Sequence, residues 1–242
     1  ASLDLLVELG VPLLKISSGL LTNLPLVRRA AGTGIPLVVS TGMSHLGEVE
    51  RAVETAEDAG CSELFLMHCV SLYPAPARSL NLSVLPTLAR DFACPIGYSD
   101  HYDGIIASLA ATALGARAIE KHFTLDRGQP GPDHAFSSDP EEMSRLVLGI
   151  REVEAMLGNP RKAPAPEEVP ARDRCRRCLV AKRAIARGEI LSGESVGLKR
   201  PRAGRQGLSP DLYDRVLGRR AASDIPADES LTWDMIADGD GS

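Results

Sequence analysis

Through the first 158 residues, short runs of β-branched and other apolar residues alternate with longer segments whose apolar positions recur at three- and four-residue spacing. The short runs, at residues 13–17, 36–41, 64–69, 95–99 and 118–123, predict five strands. Between them, residues 45–59 place Val49, Ala52, Val53 and Ala56 on one helical face, and residues 103–114 and 139–157 continue the texture. The last of these opens on Ser138-Asp139-Pro140-Glu141-Glu142, which supplies an N-cap, a first-turn proline and early carboxylates that suit the helix dipole. Residues 3–9 also read as a helix, with no strand before it. Alternating strands and helices predict an α/β domain with a parallel sheet.

The polar residues collect at the ends of the strands: Lys15, Ser17, Ser18, then Ser40 and Thr41, His68, Ser99 to His101, and Glu120 to His122. Active sites of barrels and open α/β sheets lie at the carboxyl ends of their strands. Five strands allow two architectures. One is an open five-stranded sheet; the other is the last five β/α units of an eight-stranded barrel.

After Gly158 the composition changes. Asn159-Pro160, the run 162–166 and Pro170 predict an extended linker over residues 159–177. Short apolar runs and turn signals, including Arg187-Gly188 and Ala203-Gly204, predict a small β-rich module over residues 178–236. The expected organisation is a barrel-type domain over 1–158, the linker and the module.

Charge sharpens this division. Between Arg172 and Arg220 stand 14 basic and 5 acidic residues, while the rest of the chain carries 13 basic and 27 acidic. Nucleic-acid binding would need aromatics interleaved for stacking, and this stretch holds only Tyr213. The basic piece is instead expected to meet an acidic surface or an anionic substrate. No apolar run reaches the roughly 18–20 residues of a membrane helix, and no signal core stands at the start, so a cytoplasmic setting without membrane contact is expected. Five scattered cysteines argue for reduced thiols, and the single C-x-x-C of Cys175 and Cys178 is a weak metal or redox signal.

Chemistry concentrates on two histidines. His101 ends Gly97-Tyr98-Ser99-Asp100-His101, and His122 ends Ile119-Glu120-Lys121-His122. Side chains alternate along a strand, so Ser99 shares a face with His101, and Glu120 with His122. On adjacent strands about 5 Å apart, two such imidazoles can hold one divalent metal beside a carboxylate. Singly, each is more often a hydrogen-bonded structural histidine than a ligand; as a pair, with Asp100 and Glu120 beside them, the ligand reading prevails. His68 reads as a buried, bonded residue, His45 as a surface one, and Ser40 and Ser99 could simply cap helices.

The ordered set Lys15-Ile16-Ser17-Ser18-Gly19, Ser40-Thr41-Gly42-Met43, His68 to Pro76, the two histidine strands and Pro130-Gly131-Pro132-Asp133-His134 resembles the sialic acid synthase family. Ala181-Lys182-Arg183, Arg187-Gly188-Glu189 and Lys199-Arg200-Pro201 resemble that family's C-terminal antifreeze-like (SAF) domain. The resemblance implies a TIM barrel that condenses phosphoenolpyruvate with N-acetylmannosamine or a related acetamido sugar, giving a nonulosonic acid and phosphate. It implies a divalent metal on His101 and His122, Mn²⁺ first with Mg²⁺ or Co²⁺ as alternatives, and Glu120 as general acid/base. Lys15, Ser18, Ser40, Ser71 and Ser99 would contact phosphoenolpyruvate. Tyr73, Asp133 and Arg200 would contact the acceptor, Arg200 reaching into the partner subunit of a domain-swapped homodimer.

Two departures accompany the resemblance. The family's first three strands have no counterpart, so this polypeptide alone is expected to be inactive and poorly soluble, and the gene product to be longer. Leu20 stands where the family often has an acidic residue, which points to a less polar, deoxygenated or acylated acceptor, or to impaired catalysis. Competing readings are a non-catalytic barrel that binds ligand or dimerises, and an unrelated metal-dependent barrel hydrolase or aldolase.

Overall fold

The computed structural model describes residues 2–201 and 206–237, the side chain of Asp173 excepted; the Ala203-Gly204 turn lies outside the described residues. The chain divides into two compact units, Ala1–Asn159 and Pro160–Ser242.

The first unit carries β1 (Leu14–Ile16), β2 (Leu37–Ser40), β3 (Leu64–Cys69), β4 (Ile96–Asp100) and β5 (Ile119–Lys121) in one sheet, ordered as in the sequence. Every neighbouring pair is parallel, with Lys15 opposite Val38, Ser40 opposite Met67, Cys69 opposite Ser99, and Ser99 opposite Glu120. Helices α1 (Ser2–Glu8), α2 (Leu24–Ala31), α3 (Leu46–Asp58), α4 (Val84–Asp91), α5 (Ile106–Ala113) and α6 (Pro140–Leu157) alternate with the strands. The sheet is the curled half of a β/α barrel.

Side-chain parity explains the layering. Leu14 and Ile16, Leu37 and Val39, Leu64 and Leu66, and Ile96 and Tyr98 are buried and form one core with Val27, Val49, Ala56, Leu85, Leu88 and Ala111 of the helices. Each fully buried aliphatic side chain contributes about 1.5–3 kcal/mol. The alternate positions, Lys15, Ser40, Met67, Cys69, Ser99 and Glu120, therefore face the concave side. Gly97 fits that crowded interior, since a Cβ there would lie 2.5 Å from Met67 Sδ and 2.8 Å from the Ala118 carbonyl.

Helix starts follow the local chemistry. Asp139 Oδ1 accepts from Glu142 N at 2.8 Å at the head of α6, and Glu48 Oε2 accepts from His45 N at 2.8 Å before α3.

The second unit holds a short helix α7 (Val169–Cys175), the antiparallel pair β6 (Cys178–Ala181) and β7 (Val196–Lys199), and a single turn α8 (Tyr213–Val216). Isolated bridges Ile185–Ile225, Ile190–Arg220 and Ala221–Ile236 extend its β character. Leu179, Ile185, Leu191, Val196, Val216, Ile225 and Leu231 form its core. No helix among the described residues is long and apolar enough to cross a membrane.

Candidate active site

The concave face opens into a cavity of about 410 Å³ at the carboxyl ends of the strands. Lys15, Ser17, Ser18, Gly19, Ser40, Met43, Cys69, Ser71, Tyr73, Ser99, His101, Glu120 and His122 line it. Lys15 belongs to β1 and Glu120 to β5, at opposite edges of the sheet, yet Lys15 Nζ lies 3.2 Å from Glu120 Oε1. Only curling of the sheet brings these edges together. Ser99 Oγ donates to the same Glu120 oxygen at 3.0 Å, as the register that pairs them allows.

The hydroxyls are arranged around this ion pair. Ser18 Oγ accepts from Gly42 N at 3.0 Å, and a Cβ on Gly42 would lie 2.5 Å from Ser71 Oγ and 2.8 Å from Ser18 Oγ. Glycine at 42 thus lets three loops close on one point. Ser40 is 2 % exposed, and its Oγ has no hydrogen-bond partner among the described residues. An orphaned buried hydroxyl costs about 1–3 kcal/mol, a cost that a ligand accepting its hydrogen bond would offset. Neither Ser40 nor Ser99 caps a helix here.

His101 and His122 follow directly after β4 and β5, in continuation of the Ser99–Glu120 register, with ring centroids 5.2 Å apart. His101 Nδ1 lies 2.8 Å from the Val70 carbonyl, which fixes the ring and leaves Nε2 for a ligand. His122 Nδ1 is 3.7 Å from Asp133 Oδ2. Burial, then the neighbouring His101, lowers the pKa of His122, with Asp133 and Glu120 opposing. Neutral imidazole follows at neutral pH. Tyr73 packs at a tilt against His101 with ring centroids 4.1 Å apart, and Phe136 packs on His122 at 5.1 Å. Burial, followed by the charges of Cys69, Asp133 and Glu120, raises the Tyr73 phenol above its ordinary value.

Some residues lie elsewhere. Asp100 has the parity opposite to His101 and faces away, accepting from Tyr98 OH at 3.2 Å, Tyr102 N at 2.8 Å, Ser108 Oγ at 2.6 Å and Lys121 Nζ at 3.1 Å. It closes a buried ion pair with Lys121 instead of standing beside the histidines. His68 Nε2 donates to the Leu80 carbonyl at 2.8 Å, and His134 Nδ1 meets Thr124 Oγ1 at 2.7 Å. Leu20 sits in a single 3₁₀ turn and is 43 % exposed, outside the cavity lining. Arg200 is exposed just past β7 in the second unit.

Cys69 and Met43, present in the quoted motifs but given no role there, and Phe136, which no motif contains, complete the surroundings. Strand parity alone would have placed Cys69 with Ser99, while Phe136 comes from a loop whose path no periodicity encodes. Among the described residues no three or more His, Cys, Asp or Glu groups converge on one point.

The NeuB family model matches residues 1–162 and the SAF domain model residues 176–237. The chain is 41 % identical to an N,N'-diacetyllegionaminic acid synthase of Legionella pneumophila, covering 97 % of this chain and 66 % of that protein. It is 35 % identical to an N-acetylneuraminate-9-phosphate synthase of Drosophila melanogaster, with 97 % and 69 % covered. A spore coat polysaccharide biosynthesis protein of Bacillus subtilis superposes with a TM-score of 0.63 at 36 % identity, covering 99 % of this chain and 71 % of that one. The chain thus spans about two thirds of the length of these relatives. On the family match across the whole first unit, joined to the SAF match in the second, this chain belongs to the NeuB family.

Proposed function

We propose that this chain supplies the cavity in which phosphoenolpyruvate condenses with an acetamido sugar to give a nonulosonic acid and phosphate. The observation that carries the reading is a cluster of one ammonium and several hydroxyls, one of them the orphaned Ser40 Oγ, beside a carboxylate and two imidazoles. Lys15 offsets the negative charge of the phosphoenol ester, and Ser18, Ser40 and Ser71 fix its orientation through donated hydrogen bonds, while Ser99, whose proton goes to Glu120, contacts the ester from the same wall. Glu120, held by Lys15 and Ser99, moves the proton at the reacting centre or orients the water that adds there. Tyr73 and Asp133 hold the acceptor at the mouth, and Arg200 meets its acyl group in the site of a second copy of the chain.

His101 and His122 would hold a divalent ion, Mn²⁺ foremost, through the ring nitrogens that the protein leaves unbonded. Two imidazoles that continue neighbouring strands fit a site that keeps positions open for water or ligand oxygen. When bound, such an ion polarises the acceptor's carbonyl oxygen. The synthases among the relatives act in sialic and legionaminic acid formation, which supports an amino sugar acid product.

Phosphate release by the full chain, with phosphoenolpyruvate, Mn²⁺ and an acetamido sugar, tests the reading. Release that requires the sugar supports it. Release independent of sugar, or sugar-dependent release unchanged in Lys15→Ala, contradicts it.

A further inference from the structure

Three arginines of the second unit converge on one small cleft, with no acidic group among the described residues that line it. Arg172 and Arg176 stand one turn apart at the end of α7, where Arg176 N donates to the Arg172 carbonyl at 3.0 Å, and Arg177 follows just before β6. With Gln206, Gly207 and Ser209 they line a cavity of about 150 Å³. Among the described residues none of the three guanidiniums makes an ion pair or hydrogen bond. A helix C-terminus favours cations near it, but Arg177 lies beyond the helix, and that effect does not draw three side chains to one cleft.

The wall opposite the arginines is fixed. A Cβ on Gly207 would lie 3.0 Å from both Cys178 Sγ and Ser230 Cβ, so this backbone is pressed against β6. Leu179 N donates to the Leu208 carbonyl at 2.9 Å, and Leu208 N to the Leu231 carbonyl at 2.7 Å. Asp211 accepts a hydrogen bond from Ser209, and Glu168, immediately before α7, accepts from Ala165 N at 3.0 Å.

Guanidinium groups bind phosphate oxygens in pairs of parallel hydrogen bonds, and three of them match a dianion with three terminal oxygens. The cleft is far below the roughly 300–1,000 Å³ of sites that enclose whole drug-sized molecules. A trough of about 490 Å³ adjoins it, sharing Arg172 and Arg176 and adding Lys162, Ala163, Pro164 and one carboxylate, Glu168, that is hydrogen-bonded to Ala165 N. We propose that the Arg172–Arg176–Arg177 cleft binds a phosphate dianion, free or as a small phosphate monoester whose carbon skeleton lies in the adjoining trough. The cleft shares no lining residue with the cavity on the concave face of the sheet and needs none of the chemistry proposed there.

Calorimetric titration of the full chain with inorganic phosphate, at constant ionic strength set with chloride, tests this. A Lys15→Ala background removes phosphate binding at the concave face. Saturable binding is expected in that background, weakened about tenfold or more by Arg176→Gln or Arg177→Gln, as loss of one charge-assisted contact implies. Arg177→Lys, which keeps the charge, is expected to recover it only in part. Repeating the titration with glycerol 3-phosphate identifies the source: equal affinity confines the site to the phosphate group, and tighter binding that Lys162→Gln removes extends it into the trough. Absence of saturable binding, or binding indifferent to both glutamine variants, would overturn the proposal. All three arginines are exposed, so the variants retain the fold.

Discussion

Lys15 and Glu120 stand on the two edge strands of a five-stranded sheet, yet their charged groups are 3.2 Å apart. In a flat sheet, four strand spacings of about 4.8 Å would separate them. The ion pair therefore spans the concave face, and its energetic role is local, since the two side chains are 32 % and 43 % exposed. Exposed pairs contribute at most about 1 kcal/mol. Glu120→Gln is expected to leave the unfolding midpoint within that range while lowering turnover about 10²–10⁴-fold, the span of a lost acid/base group. Parallel urea melts and phosphate-release assays check both halves.

The Lys121–Asp100 pair behaves oppositely. Its side chains are 3 % and 0 % exposed, and Lys121 Nζ also donates to the Gly104 carbonyl at 2.8 Å and to the Tyr102 carbonyl. Lys121→Met strands a buried carboxylate and is expected to cost about 3–5 kcal/mol. Chemical denaturation of the variant measures it, and adding Asp100→Asn is expected to restore part of the loss.

Much of this arrangement was legible beforehand. The five strands, the helices of residues 45–59, 103–114 and 139–157, and the shared faces of Ser99 with His101 and Glu120 with His122 follow from periods of 2 and 3.6. What spacing could not supply was the curl of the sheet, which depends on packing across all five strands, and so the meeting of Lys15 with Glu120. Asp100 shows a second limit: its polar character suggested the site, while strand parity, applied to it as it was to Ser99, turns it toward Ser108 and Lys121. Phe136 and Asp133 reach His122 from an irregular loop, where neither period operates.

His68 predicts a pH dependence. Burial lowers its pKa below 6.5, so the folded protein keeps the ring neutral where the unfolded chain takes up a proton. Its contribution is complete above about pH 6.5 and is lost as pH falls from there toward the lower folded value, because the unfolded state then binds more protons. Urea unfolding followed from about pH 7.5 to about pH 5 is expected to show a loss of stability that His68→Gln reduces.

Leu20 predicts acceptor preference. It occupies an exposed 3₁₀ turn next to Ser18 and Gly19 of the cavity lining, and leucine accepts no hydrogen bond from a sugar hydroxyl. Leu20→Glu is expected to raise kcat/KM for N-acetylmannosamine relative to a deoxygenated acetamido sugar. A shift of about tenfold corresponds to one recovered polar contact.

The most direct test of the site is a calorimetric Mn²⁺ titration of the full chain and of its His101→Ala and His122→Ala variants. One saturable ion per chain, lost in either variant while the fold persists, is the predicted result. A chain that binds no ion, or binds it equally well without either imidazole, would contradict the account.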